Sequence, residues 1–228
     1  SHAKEQKLSV VEVSSDKSPT EFYLYDITSK KASFVASMNE KINKKELATV
    51  EPFKISARDG VVLHGYITIP NNKKEPYSAV VMLHGGPHGV RDFWGFNAEA
   101  QYLASIGYAV LQVNFRGSGG YGSSFLKSGY KNWGTKMQDD VTDATHWAIK
   151  QKIIDKNNIC IYGGSYGGYA ALMGAVREPD LYKCAIGYVG VYSIPEMFSS
   201  GDIPTRDSGV KFLNTVHGMD VEDQKSRS

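Results

Sequence analysis

Cysteine is nearly absent: 228 residues hold only Cys160 and Cys184. Two are too few for a disulfide framework, and their spacing fits no zinc site. Both lie in apolar, strand-like runs, which predicts two buried free thiols in core strands. An excess of one charge is also missing. Lys plus Arg number 26 against 24 Asp plus Glu, a net of +2, so bulk charge makes no case for a nucleic-acid or anionic-membrane partner. No apolar run approaches the roughly 20 residues that a membrane-spanning helix needs. Internal repeats and low-complexity stretches are lacking. The start, Ser1-His2-Ala3-Lys4-Glu5-Gln6-Lys7, is polar and has no initiator methionine; no signal peptide is read in it, and a processed, tagged or excised chain is expected. What is present is ordinary globular composition, 41% hydrophobic and 22% charged, and one domain or one with an appendage is expected.

The pattern divides the chain at about residue 50. In residues 1–49, Leu8 to Val13 alternates weakly, Phe22 to Ile27 is strand-like, Thr28 to Lys31 reads as a turn, and Ala32 to Ala36 returns as a strand. A lone hairpin of this kind is marginal in water, so it is expected to belong to something larger or to pack on the main body. Met38 to Lys45 is a linker by composition. In residues 50–228, Phe53 to Ala57 and Val61 to Ile69 flank Arg58-Asp59-Gly60, a hairpin signal. Pro70 and Asn71-Asn72-Lys73-Lys74 end the second strand. Ser78 to Leu83 is a continuous apolar run, as in a buried parallel strand. Strands at Tyr108 to Phe115, Ile159 to Tyr162 and Tyr182 to Val191 alternate with helices at Ala98 to Ile106 and Thr135 to Lys150. Asp139, Asp140 and Asp143 at the start of the second helix suit its positive end. Alternation of this kind predicts an α/β fold with a parallel sheet.

Three loops at strand ends carry the chemistry. Gly163-Gly164-Ser165-Tyr166-Gly167 is a G-x-S-x-G sequence between a strand and a helix, the context of a nucleophile elbow. Taken alone it is equally a structural tight turn; it fits neither a dinucleotide fingerprint nor a P-loop. His84-Gly85-Gly86-Pro87 follows a buried strand. An H-G-G loop there supplies one backbone N–H to an oxyanion hole, and the residue after the nucleophile supplies the other, which makes Gly86 and Tyr166 the candidate donors. His84 is expected to orient this loop rather than exchange protons, and His88 to be a loop residue. Asn114 to Gly122 is a glycine-rich turn whose Arg116 either bonds loop carbonyls and carboxylates or contacts substrate.

In this order, His84 to Pro87, Asn114 to Gly122 and Gly163 to Tyr169 resemble the prolyl oligopeptidase family of serine peptidases, in its acylaminoacyl-peptidase and dipeptidyl-peptidase branches. The resemblance covers roughly residues 50–228. It implies an α/β-hydrolase fold, truncated after the strand that follows the nucleophile helix. It implies that residues 8–37 are similar to the last strands of a β-propeller, the rest of which is absent from this chain. It implies Ser165 as nucleophile, a short peptide or acylated amino acid as substrate, and a pocket for the residue before the cleaved bond along Tyr188 to Phe198. Val191, Tyr192 and Phe198 are the positions to watch there, with ordinary packing as the alternative. No cofactor and no metal are expected. No glutamate pair suited to a free peptide amino terminus stands out.

The base is the missing part. In α/β-hydrolases the order is serine, acid, histidine. His217 is the only histidine after Ser165, and Asp180, Asp202 and Asp207 are the acids before it. A triad built from these would omit at least two strands of the fold. His64 and His146 read as strand and helix surface positions. The expectation is therefore a catalytic domain whose Asp and His lie beyond Ser228, and little activity from these residues alone. A carboxylesterase or lipase-type hydrolase and a non-catalytic α/β-hydrolase-like scaffold are the competing readings.

Overall fold

The computed structural model describes residues 7–71 and 73–228; Ser1 to Gln6 and Asn72 lie outside the described residues. Residues 8–37 form an antiparallel meander of β1 (Leu8–Ser15), β2 (Ser18–Asp26) and β3 (Lys31–Ser37). The expected hairpin is β2 and β3. The weakly alternating Leu8 to Val13 segment adds a third strand, because it satisfies the backbone groups on the free edge of β2. Val10, Phe34 and Val35 remain exposed on this small sheet. It is tied to the main body through Asp16, whose carboxylate accepts Val50 N–H and whose carbonyl accepts the Gln101 amide.

The main sheet follows from two kinds of strand. β4 (Thr49–Ser56) and β5 (Val62–Ile69) carry one buried face and pair antiparallel across the turn at Gly60. β6 (Tyr77–Leu83) and β7 (Ala109–Asn114) are apolar on both faces and sit in the middle. With β8 (Ile154–Gly164) and β9 (Cys184–Tyr188) the order is β4-β5-β7-β6-β8-β9. β5 pairs antiparallel with β7, and β7, β6, β8 and β9 are mutually parallel. Parallel neighbours need crossover connections, here α1 (Ala98–Ser105), α2 with α3 (Ser123–Lys127, Lys136–Lys150) and α4 (Tyr166–Arg177).

Side-chain alternation assigns the helices to faces. Val81, Leu83, Leu111, Ile159 and Ile161 point to one face and pack under α3 and α4 in the large core. Met82, Val110 and Tyr162 point to the other and meet Ala100 and Leu103 of α1. Each fully buried aliphatic side chain there contributes about 1.5–3 kcal/mol. After β9 the chain runs through short 3-10 turns into α5 (Asp207–His217) and α6 (Val221–Ser226).

One expectation is corrected. Cys160 and Cys184 are register partners on β8 and β9 and form a disulfide, with Cα atoms 4.7 Å apart. Cys184 is exposed, on the side of β9 that opens onto a cavity shared with α1. Asp139 lies in the first turn of α3, as expected, and the three carboxylates also pair with arginines: Asp139 with Arg58 and Arg177, Asp143 with Arg58, and Asp140 with Arg116. The outer edge of β9 has no partner strand among the described residues, and Ile186 and Tyr188 on it are exposed.

Candidate active site

Ser165 sits between the last residue of β8 and the first of α4, at φ 56° and ψ −120°. A non-glycine residue at positive φ is held against a steric cost, the backbone of a nucleophile elbow. The close approach of strand and helix depends on glycine: a Cβ on Gly167 would run into the Leu83 carbonyl of β6. Ser165 N–H donates to Tyr188 O at 2.9 Å, and Ser165 O accepts from Gly168 and Tyr169 N–H. The Ser165 residue is exposed and its hydroxyl meets no imidazole or carboxylate among the described residues.

The His84 to Pro87 loop lies beside the elbow. A Cβ built on Gly85 would be 3.5 Å from Ser165 Cβ and 3.3 Å from Gly164 O. Gly86 has φ +112°, and a Cβ there would press on Val90. Neither Gly86 N–H nor Tyr166 N–H has an acceptor among the described residues. For Tyr166 the cause is its place as first residue of α4, where N–H groups have no intrahelical partner. The Tyr166 side chain turns the other way, 1% exposed among Phe115, Trp133 and Tyr169. Burial raises its hydroxyl far above the ordinary tyrosine value. Two backbone donors thus remain free next to an exposed hydroxyl.

The third loop supports the second. Arg116 is 3% exposed. Its Nε and Nη2 donate to Asp140 at 2.8 and 2.6 Å, and Nη1 and Nη2 donate to Asp59 at 2.8 and 3.1 Å. Asp140 also accepts Arg116 N–H at 2.8 Å. Of the two readings of Arg116 the geometry supports the structural one over a substrate contact: the guanidinium is turned inward and spent on two carboxylates. Hydrogen bonding to Arg116 holds the Asp59 carboxyl below its usual value. In the same loop Ser118 Oγ lies 2.9 Å from His84 Nε2, and His84 Nδ1 lies 2.7 Å from Gly85 O.

The substrate-pocket candidates separate. Val191 and Tyr192 line a cavity of about 380 Å³ with Glu196, Met197, Asp202 and Ile203. Gly190 on its wall lies two residues after Tyr188, whose carbonyl accepts Ser165 N–H. Phe198 does not line it; the ring packs on the large core and toward His217, with centroids 6.5 Å apart. Pro195 starts a 3-10 turn over Pro195–Phe198; Met197 and Phe198 both pack on the large core, and Met197 also lines the cavity. A larger apolar cavity of about 580 Å³ lies on the α1 face, between Tyr102, Leu103, Tyr162 and Ile186, and Ser165 is not part of its lining.

No described histidine serves Ser165. His217 is 1% exposed at the end of α5, its ring edge-on to Trp133 at 4.6 Å. Burial pulls it down to about 4, and its Nδ1 has no partner among the described residues. His88 accepts Trp133 Nε1–H at 3.3 Å and is likewise pulled down to about 4 by burial. His64 stacks on Tyr121, and His146 is on the surface. Among the described residues there is no metal-binding cluster of His, Cys, Asp and Glu, and no helix long and apolar enough to cross a membrane.

A mixed sheet in this strand order, with a strained serine at the strand–helix turn and a glycine loop beside it, defines an α/β-hydrolase domain. The sequence profile of the prolyl oligopeptidase family matches residues 94–220, more than half of the chain. The chain belongs to that family of serine peptidases. It is 37% identical to dipeptidyl aminopeptidase BIII of Pseudoxanthomonas mexicana over 96% of its own length and 35% of that protein. It is 31% identical to dipeptidyl peptidase family member 6 of Caenorhabditis elegans, over 96% of its length and 32% of that protein. The acylaminoacyl peptidase of Pyrococcus horikoshii superposes with TM-score 0.80 at 26% identity, over 98% of this chain and 36% of that one. The chain thus spans about a third of the length of the curated relatives it matches.

Proposed function

We propose that this chain supplies the nucleophile and oxyanion hole of a serine peptidase that hydrolyses short peptides or acylated amino acids. The observation that carries this reading is the placement of exposed, strained Ser165 against the glycine loop, with the Gly86 and Tyr166 N–H groups unpaired. Ser165 Oγ attacks the scissile carbonyl, its proton passes to a histidine base, and the two N–H groups hold the developing oxyanion. Each such donor is worth about 3 kcal/mol of transition-state stabilisation. Collapse releases the amine and leaves an acyl-enzyme, which water hydrolyses by the reverse sequence. The cavity along Val191, Tyr192 and Met197 takes the side chain before the cleaved bond.

The Asp and His of the triad come from sequence beyond Ser228. The open outer edge of β9 and the serine–acid–histidine order of α/β-hydrolases support this. The remainder of a β-propeller joins the β1–β3 meander and restricts access to small substrates. The three relatives described above are peptidases, which favours this over a carboxylesterase or lipase. The test is a comparison of acyl-peptide anilides with long-chain p-nitrophenyl esters, using protein that includes the downstream sequence. Anilide cleavage lost in Ser165→Ala is the expected result; ester cleavage with no anilide cleavage would turn the reading to an esterase, and no turnover of either to a scaffold.

A further inference from the structure

We propose that Arg91 is a specificity-determining residue, whose guanidinium binds the C-terminal carboxylate of a short peptide on the leaving side of the scissile bond. The inference rests on the serine-peptidase reading above and adds a subsite to it. Arg91 follows Val90, the residue on which a Cβ at Gly86 would press, so it belongs to the loop that carries one oxyanion donor. It is half-buried, and its Nε–H is buried without a partner. The arginine ion pairs among the described residues belong to Arg58, Arg116, Arg177 and Arg227. Two carboxylates share a cavity with Arg91, and each is engaged elsewhere. Asp92 turns its carboxyl to Gln112, and Glu99 accepts the Tyr162 hydroxyl at 3.3 Å.

The guanidinium is held in place by rings. It lies over Phe93 at 4.2 Å and over Tyr121 at 5.3 Å. Tyr121 is itself fixed: it stacks on His64 at 4.8 Å, and its hydroxyl accepts Asn114 Nδ2–H at 2.9 Å. Asn114 also exchanges two hydrogen bonds with the Asp92 backbone, at 2.8 and 3.1 Å, and so pins the loop. A Cβ on Gly120 would come within 2.7 Å of Arg91 Nη1, so glycine there leaves the room that Arg91 needs. Aromatic faces hold a guanidinium by its plane and leave its N–H edge to a planar anion. A fixed, half-buried cation without a protein countercharge is an incomplete pair, and a carboxylate completes it bidentately. Space for that ligand is at hand: Arg91 lines a cavity of about 790 Å³, with Phe93 and Trp94 of its own loop and Thr20 and Met38 of the meander.

Chemistry and topology choose the leaving side. The main-chain carboxylate of a peptide lies only on that side of the bond that is cut. The acyl-side cavity at Val191 and Tyr192 follows β9, whereas the Tyr121 loop follows β7 and meets His64 of β5, on the other side of Ser165. β6 alone separates β7 from β8, and two strand spacings make on the order of 10 Å. An extended peptide advances about 3.4 Å per residue, so a carboxylate roughly two or three residues past the scissile bond reaches Arg91.

The test uses the complete enzyme and peptides without acidic side chains. An N-acetylated residue followed by Gly-Gly is offered as the free acid and as the C-terminal amide, beside the same pair lengthened by several residues and an acyl-peptide anilide, which has no carboxylate. The wild type is expected to favour the short acid over its amide by roughly 10- to 100-fold in kcat/KM, with the difference in KM, and the preference is expected to fade in the lengthened pair. Arg91→Gln is expected to bring the ratio to about 1, and Arg91→Lys, which keeps the charge without the fork, to lower it about 3- to 10-fold. A wild-type ratio near 1 overturns the proposal. So does a ratio unchanged in a folded variant; if the melting temperature alone falls, Arg91 is a structural cation. The Lys variant decides where the Gln variant does not fold. Turnover of the anilide with neither short peptide cleaved, or with no discrimination between them, sinks only this inference. A wild-type enzyme that neither turns over nor reacts with a fluorophosphonate sinks the peptidase reading and this inference together.

Discussion

At the scale of single residues, Arg116 shows how a loop is held by charge inside a core. Asp140 is fully buried, and its countercharge is the guanidinium 2.6 Å away. Removing one partner of such a pair strands the other, at a cost of about 3–5 kcal/mol. Arg116→Met is therefore expected to lower the unfolding free energy measured in urea by an amount in that range, and Arg116→Met with Asp140→Leu to regain much of it. A substrate-contact role would instead raise KM and leave the unfolding free energy where it was. The sequence marked Arg116 as notable and left its partners open. Asp59 and Asp140 lie 57 and 24 positions away, and only the fold brings them together. Ser165, Gly86 and Tyr166 were legible for the opposite reason. Strand, turn and helix are contiguous in sequence, and each of these residues sits at a junction that the glycines announce.

At the scale of elements, the sequence pattern located the strands of residues 50–228 and the helices α1, α3 and α4, but not α2, α5 or α6. The β4–β5 hairpin followed from Asp59-Gly60, and the central position of β6 and β7 from unbroken apolar runs. The disulfide was not legible. Apolar neighbours made Cys160 and Cys184 look buried, whereas pairing depends on the register of β8 against β9. The bridge closes a loop with a sequence separation of 24, and it joins the strand that ends at Ser165 to the edge strand. A cross-link over a loop of this size is worth about 3 kcal/mol. Native protein is expected to show no thiol reactive toward maleimide until reduced. The Cys160→Ser, Cys184→Ser variant is expected to lose up to that amount of stability in urea unfolding. Two reactive thiols in the native, unreduced protein would contradict the pairing.

At the scale of the whole molecule, three partly or fully buried histidines make stability depend on pH. His84, His88 and His217 are each pulled from the ordinary 6.5 down to about 4 by burial. Between pH 6.5 and 4 the unfolded chain binds protons that the folded chain refuses. Stability therefore rises with pH across this window and is lost as pH falls through it. Melting temperature is expected to drop steadily from pH 6.5 to 4, and more shallowly in His217→Phe. A flat profile over that window would show that these imidazoles titrate freely.

The central claim joins all three scales: a strained serine, a glycine loop beside it and a hydrolase sheet together make Ser165 a nucleophile. The direct measurement is fluorophosphonate labelling of the complete enzyme, followed by peptide mapping by mass spectrometry. The account predicts one phosphonylated residue, Ser165, with labelling abolished in Ser165→Ala. Labelling at another serine, or none at Ser165 in folded enzyme, would contradict it.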